Sequence, residues 1–109
     1  MVSAQFVQPG ATVDYRTDVD VPLGAVIVQG DLVGVAVRPI PAGTLGVVAV
    51  EGVFDVAKDL AASIAAGAKV YWDATASQAV TVATGNKQLG KAIAAAGANT
   101  STVRTRLSQ

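Results

Sequence analysis

The feature that most constrains the fold is a regular alternation, along the chain, of short Val-, Thr- and Gly-rich segments with turn residues. Short extended segments at such intervals are typical of a β-sandwich or β-barrel. Because the links between them are shorter than a parallel crossover, neighbouring strands are expected to be antiparallel. The sequence therefore predicts an all-β fold, a small single-domain barrel or sandwich of about seven to nine short antiparallel strands.

The individual strands are predicted from apolar alternation and from the Gly, Pro and Asp residues that separate them. They cover residues 12–16, 25–28, 32–37, 44–56, 69–73, 79–83, 88–95 and 102–107. Within the long 44–56 segment, Glu51-Gly52 predicts a bulge or a sharp bend. At most one short helix is expected, over 59–66, because Ala favours helix, Asp59 is a good N-cap and Gly67 is a good helix end.

The chain of 109 residues is expected to form one domain that follows an extended N-terminal arm. Pro9-Gly10 breaks the extended pattern, so the arm is placed at 1–10 and the β-rich domain at 11–109. The arm lacks the basic n-region and the long apolar stretch of a secretory signal peptide. No apolar run approaches the length of about 18 residues that a membrane span needs, so no membrane partner is expected.

Composition argues against several classes of function. The chain has no Cys and no His, which removes disulfides, thiolate nucleophiles, most zinc sites and the commonest general base. Eight basic and eight acidic residues cancel, so no nucleic-acid partner is expected. A chain that is 51% hydrophobic and 15% charged favours burial of apolar surface against other subunits. We predict no enzyme activity, no catalytic residue, no metal site and no cofactor.

The carboxylates do not form a convincing site in the sequence. Asp18 and Asp20 lack the further oxygen ligands and the terminal Glu of a calcium loop, so a solvated turn is expected. Glu51 and Asp55 would act as a glycosidase pair only at a defined spacing across a cleft. Exposed positions on a strand are the simpler prediction for both residues.

One motif suggests a different kind of protein. Residues 85–92, Gly85-Asn-Lys-Gln-Leu-Gly-Lys-Ala92, match the phosphate-binding pattern G-x-x-x-x-G-K-[ST] except at Ala92, where a hydroxyl should hold magnesium. Only five residues separate Lys91 from Gly97, too few for the helix whose N-terminus meets the phosphate. A β-turn at Gly85-Asn86 is therefore expected. A P-loop nucleotide-binding protein is kept as the remote alternative.

The adjacent aromatic residues Tyr71 and Trp72 are the candidate interface aromatics. Neighbouring residues of a strand point to opposite faces, so one ring is expected in the core and the other exposed or at an interface. Trp and Tyr are enriched where proteins contact partners. Large aromatic side chains also fill the core of a domain that has few of them.

Several segments, in order along nearly the whole chain, resemble a known family of phage proteins. They are Phe6-Val-Gln-Pro-Gly10, Gly30-Asp-Leu-Val-Gly-Val-Ala36, Glu51-Gly-Val-Phe-Asp-Val56, Lys69-Val-Tyr-Trp-Asp73, Gly90-Lys-Ala-Ile93 and Val103-Arg-Thr-Arg-Leu107. The family was formerly labelled predicted RecA/RadA recombinase. The members of this family whose role is known are capsid cement or decoration proteins.

The resemblance implies a structural virion protein that binds the outer surface of the expanded phage head and stabilises contacts between major capsid subunits. The implied partners are the major capsid protein and the protein itself, as a homo-oligomer and in particular a homotrimer. The implied location is the outer capsid surface, after synthesis in the host cytoplasm. The arm is the natural capsid-contact segment, since an extended segment can add a strand to a partner's sheet. Its candidate contact residues are Val2, Ser3, Ala4, Gln5, Phe6, Val7 and Gln8.

An alternative from another functional class also remains open. The chain could be a phage surface or tail-associated β-domain that binds host glycans. In that case Tyr71 and Trp72 would be exposed and would supply the contact.

Overall fold

The computed structural model describes residues 11–108, and this part of the chain is all-β, as predicted. It contains nine strands and no helix. The strands are β1 Thr12–Arg16, β2 Val26–Gln29, β3 Leu32–Ala36, β4 Leu45–Ala49, β5 Gly52–Ala57, β6 Lys69–Asp73, β7 Gln78–Val80, β8 Lys87–Ala92 and β9 Thr102–Leu107. The expected arm, residues 1–10, lies outside the described residues, so the division into arm and domain stays a prediction.

The strands form two antiparallel sheets, each built from one continuous part of the chain. The four-stranded sheet has the order β1-β4-β3-β2, and the five-stranded sheet has the order β5-β9-β8-β6-β7. The chain passes from one sheet to the other at Glu51-Gly52, where Gly52 has φ +118°. The bend predicted there separates two strands. An isolated bridge between Lys58 and Ala79 brings the end of β5 beside β7 and curls the larger sheet.

The main core lies between the two sheets. Val33 and Val35 of β3 point into it from the smaller sheet, and Val103 and Leu107 of β9 point into it from the larger one. A second cluster lies on the opposite face of the smaller sheet, where Val21, Ala36, Ile40 and Val48 pack together. The smaller sheet therefore contributes to a buried cluster on each face, although Asp14, Arg16, Leu45 and Val47 stay exposed where β1 pairs with β4. The larger sheet packs on one face only.

The short helix expected over 59–66 does not form. Asp59 does accept a hydrogen bond from the backbone N–H of Ala61 through its Oδ1 at 3.0 Å, as an N-cap would. The backbone groups of Ile64, however, pair in both directions with those of Ala96 at 2.8 Å. Because Ile64 is buried in the main core, tertiary pairing overrides the local helix preference of the Ala residues.

Candidate functional site

The segment that resembles a phosphate-binding loop is a turn followed by a strand. Asn86 donates its backbone N–H to the carbonyl of Ala83 in the turn that links β7 to β8, and Gly85 has φ +77° there. The rest of the match, from Lys87 onward, is β8 itself. A phosphate-binding loop needs backbone N–H groups that converge at the start of a helix, and this turn, which leads into a strand, does not provide them.

The second glycine of the motif has a packing role. Gly90 is buried in β8, and a Cβ atom built on it would collide with the carbonyl oxygen of Arg106 in β9. The close approach of the two strands therefore requires glycine at this position. Lys91, the lysine of the motif, is exposed on the other face of the sheet. Sheet packing explains the Gly-Lys match without a nucleotide.

The two candidate aromatics lie on opposite faces of β6. Trp72 is half-buried, packs against the main core and pairs with the fully buried Ala79. Tyr71 is also half-buried and pairs with Val80 on β7 and Gln88 on β8. The two rings therefore do not form a single stacking platform, and a glycan could contact only one of them from one side.

An apolar cleft of about 390 Å³ opens beside Trp72, at the boundary between the two sheets. Phe54, Val56 and Val26 line its apolar wall, and Ser77 and Asp55 also border it. The Asp55 carboxylate is hydrogen-bonded to Arg104 on the outer face of the larger sheet. The volume of the cleft falls in the range of small-molecule pockets, but few polar groups converge in it. Across residues 11–108, no cluster of three potential metal ligands is present.

The outer face of the five-stranded sheet carries several exposed charged side chains. Strand β9 alternates strictly, so Val103, Thr105 and Leu107 point inward while Arg104 and Arg106 point to solvent. Arg104 donates from Nε to Oδ1 of Asp55 at 2.9 Å and from Nη2 to Oδ2 at 3.2 Å. These hydrogen bonds hold the pKa of the Asp55 carboxyl below its ordinary value. The charge of Arg104 is thus matched within the sheet.

The next row of the same face contains three cations opposite one another. Arg106 on β9 pairs in register with Lys91 on β8, and Lys91 pairs with Lys69 on β6. All three side chains are exposed, and we call them the basic row. Within the described part of the chain the two salt bridges are Arg104–Asp55 and Lys87–Asp31, so neither involves the basic row.

The sequence did not predict the basic row. Lys69 and Lys91 are far from Arg106 in sequence, and only the strand register places the three together. The available signal was the alternation of charged and apolar residues, which is strict in β9 and interrupted in β8. It shows which residues point outward, but it does not show which strands are neighbours.

The candidate arm residues, Val2 to Gln8, lie outside the described residues. In the part of the chain that the structure does describe, no helix is long and apolar enough to cross a membrane. The described surface is that of a small β-domain whose larger sheet has an exposed outer face. Such a domain fits the class of proteins that act through surface contact.

Comparison with known families identifies the particular kind of protein. The profile of the phage cement protein family matches residues 7–107, nearly the full length, so the chain belongs to that family. No curated protein and no solved structure matches the chain. The family resemblance found in the sequence is confirmed. The description of the family indicates a structural role at the phage capsid.

Proposed function

We propose that this protein is a capsid cement protein that binds the outer surface of the expanded phage head, stabilises contacts between neighbouring major capsid subunits and performs no catalysis. The observation that carries the proposal is the family match over residues 7–107. The all-β fold agrees with it, because cementing requires shape and contact area rather than a reaction centre.

The exposed apolar residues support a role in contact. Seven large apolar side chains are at least half exposed: Val19, Leu23, Leu45, Val53, Leu60, Val82 and Ile93. Scattered apolar residues are normal on a soluble surface, but seven in 98 described residues provide ample material for an interface. Contacts of this kind need not be strong singly, since a lattice of identical sites gains from multivalency when each copy bridges several subunits.

The proposed assembly is a homotrimer whose N-terminal arms contact the capsid. Residues 2–8 would add a strand to a sheet edge of the major capsid protein, which contributes main-chain hydrogen bonds without a preformed pocket. Tyr71 lies on the open face of the larger sheet, so it remains a candidate contact there. Trp72 packs against the main core and supports the fold beside the cleft.

The test is co-sedimentation of the purified protein with heads of its own phage that lack it. Expanded heads are compared with unexpanded proheads, and the oligomeric state is measured by sedimentation equilibrium. We expect saturable binding to expanded heads, at a ratio fixed by the capsid lattice. Absence of binding to both forms would refute the cement role.

A truncated chain without residues 1–8 tests the arm separately. We expect an unchanged far-ultraviolet spectrum and melting temperature, because the nine strands all lie within 12–107. We also expect weaker binding to expanded heads. Full occupancy by the truncated protein would show that the capsid contact lies elsewhere.

A further inference from the structure

We propose that the basic row binds a cluster of carboxylates on the major capsid protein, so that the outer face of the five-stranded sheet is the face that meets the capsid. This inference rests on the proposed cement function and adds to it the face and the chemistry of the contact. The occupant is an acidic surface of a protein, with Asp or Glu side chains grouped over about 10 Å, the width of three neighbouring strands.

The geometry of the row places three like charges side by side. Lys69, Lys91 and Arg106 occupy directly opposite positions on three adjacent antiparallel strands. Side chains opposite one another on a sheet face lie about 5 Å apart at their Cβ atoms. Like charges at this spacing oppose folding. Such a row costs stability in the isolated domain. It is expected where a binding partner offsets the repulsion between the three charges, because departures from local rules concentrate at functional sites.

Within residues 11–108, no carboxylate is placed to neutralise the row. Asp55 is diagonal to Arg106, but both of its oxygens accept hydrogen bonds from Arg104. Asp73 lies on β6 four residues beyond Lys69, roughly 13 Å along the strand. Its Oδ1 accepts the backbone N–H groups of Thr75 and Ala76 at 3.0 and 3.1 Å. The charge of the row is therefore available to a partner.

Exposed aliphatic side chains and an aromatic side chain surround the row. Val53 continues it on β5, directly opposite Arg106, and is 51% exposed. Ile93 follows Lys91 in the outward alternation and is 50% exposed. Tyr71 is the next outward residue of β6 after Lys69. A basic centre flanked by aliphatic and aromatic side chains has the composition of a protein interface, where Tyr and Arg often dominate the binding energy.

These surroundings favour a protein carboxylate over a nucleic-acid phosphate. A nucleic-acid site needs an extended basic stripe and a net positive charge, because affinity comes from many phosphate contacts. This chain has zero net charge, and the row contains three cations bordered by apolar residues. A short cluster of carboxylates matches its length and its borders.

The test compares two triple variants in the same co-sedimentation experiment. One neutralises the row as Lys69→Gln, Lys91→Gln and Arg106→Gln. The control neutralises three exposed basic residues elsewhere, as Arg16→Gln, Arg38→Gln and Lys87→Gln, which changes the net charge equally. Because Lys87→Gln also removes the ion pair with Asp31, the melting temperature of the control is measured before its binding is compared. The single variant Lys91→Gln removes the central charge and serves if the triple row variant fails to fold.

We expect the row variant to bind expanded heads about tenfold or more weakly, because several charge contacts are lost together. The control should stay within about threefold of the original protein, and added salt should weaken the original protein more than the row variant. A carbodiimide, which couples amines to carboxylates without a spacer, should join Lys69 or Lys91 to Asp or Glu residues of the capsid protein.

Other outcomes would contradict the inference or the proposed function. If the original protein binds heads and the row variant binds equally well, or if row and control variants weaken equally, the inference is wrong while the cement function stands. Loss of self-association in the row variant, or row-dependent binding of a DNA oligonucleotide, would assign the row to another partner and overturn the inference. If the original protein does not bind heads at all, the proposed function itself fails.

Discussion

The two sheets of this protein differ in how many of their faces contribute to a buried cluster. The smaller sheet packs against the main core on one face and against the Val21, Ala36, Ile40 and Val48 cluster on the other. The larger sheet packs on its inner face and exposes its outer face. On a covered face, packing dictates the residue. On an exposed face, internal packing does not dictate the residue, so the side chains found there indicate the chemistry of a binding partner.

Glycines mark the covered faces of both sheets. A Cβ atom on Gly46 would come within 2.6 Å of the Ile40 side chain, and one on Gly34 would come within 2.8 Å of Val48. Gly90 plays the same part between β8 and β9, against the backbone of Arg106. The outer face of the larger sheet has no such restriction at Lys69, Lys91 or Arg106, which are all exposed.

The largest effect on the free energy of unfolding is expected at Gly90, where β8 packs closely against the backbone of β9. Gly90→Ala should lower the free energy of unfolding by more than about 3 kcal/mol, because the new methyl group collides with backbone that cannot move independently. Urea denaturation of the purified protein measures the change. Gly97→Ala is the matched control, since nothing lies within 4 Å of a Cβ atom there, and it should be nearly neutral. Equal effects from the two substitutions would contradict this account of Gly90.

A second comparison uses the same residue type on a covered and an open face. Ile40 is 2% exposed and covers Gly46, whereas Ile93 is 50% exposed beside the basic row. Ile40→Ala should cost about 2–3 kcal/mol of unfolding free energy through lost burial and a residual cavity. Ile93→Ala should change it by less than about 0.5 kcal/mol. If Ile93→Ala proves equally costly in isolated protein, the outer face is not open in solution.

A smaller effect is expected from the paired charges of the open face, and it should depend on pH. Arg104 lowers the pKa of Asp55 in the folded state from the ordinary value of 3.8. The ionised carboxylate therefore contributes stability that is fully present at neutral pH and is lost as the pH falls below 3.8 through the lowered pKa. The difference in melting temperature between the original protein and Asp55→Asn should be small at pH 7 and should vanish in acid.

The control for this prediction is Asp14→Asn. Asp14 is also an exposed strand residue, but it makes no salt bridge within residues 11–108. A difference for Asp55→Asn that persists unchanged in acid would show that the ion pair with Arg104 is not its source.

The smallest effect is expected in the basic row and has the opposite sign. Lys91→Gln removes the central of three like charges, so it should raise the melting temperature by about 1–3 °C at low salt. The gain should shrink in 1 M salt, where the Debye length falls to about 3 Å. Differential scanning calorimetry at two salt concentrations measures it. A lower melting temperature would show that Lys91 stabilises the isolated domain.

The local pattern of the sequence was sufficient where a strand has one buried and one exposed face. The segments predicted at 12–16, 69–73 and 102–107 are β1, β6 and β9. It failed over 59–66, because the pairing of Ile64 with Ala96 is a long-range interaction that local propensity does not contain.

The same limit explains the candidate site. Alternation along β6 predicts that Tyr71 and Trp72 point to opposite faces, but it does not say which ring is inside. In β8 the alternation is interrupted, because Leu89 and Gly90 are both buried. The meeting of Lys69, Lys91 and Arg106 depends on the order β9-β8-β6, which no single segment encodes. Gly90 matches part of a nucleotide-binding motif because two closely packed neighbouring strands and a phosphate-binding loop both require glycine.

The passage at Glu51-Gly52 has a consequence for how the chain could be divided. Every strand of the smaller sheet ends before it, and every strand of the larger sheet begins after it. A polypeptide cut at this point would yield two fragments, each holding a complete hydrogen-bonded sheet. The two fragments would associate through the apolar core between the sheets and through the salt bridge between Lys87 and Asp31, at 2.6 Å. The fold is therefore a natural candidate for fragment complementation, in which two separately made halves reassemble only when brought together.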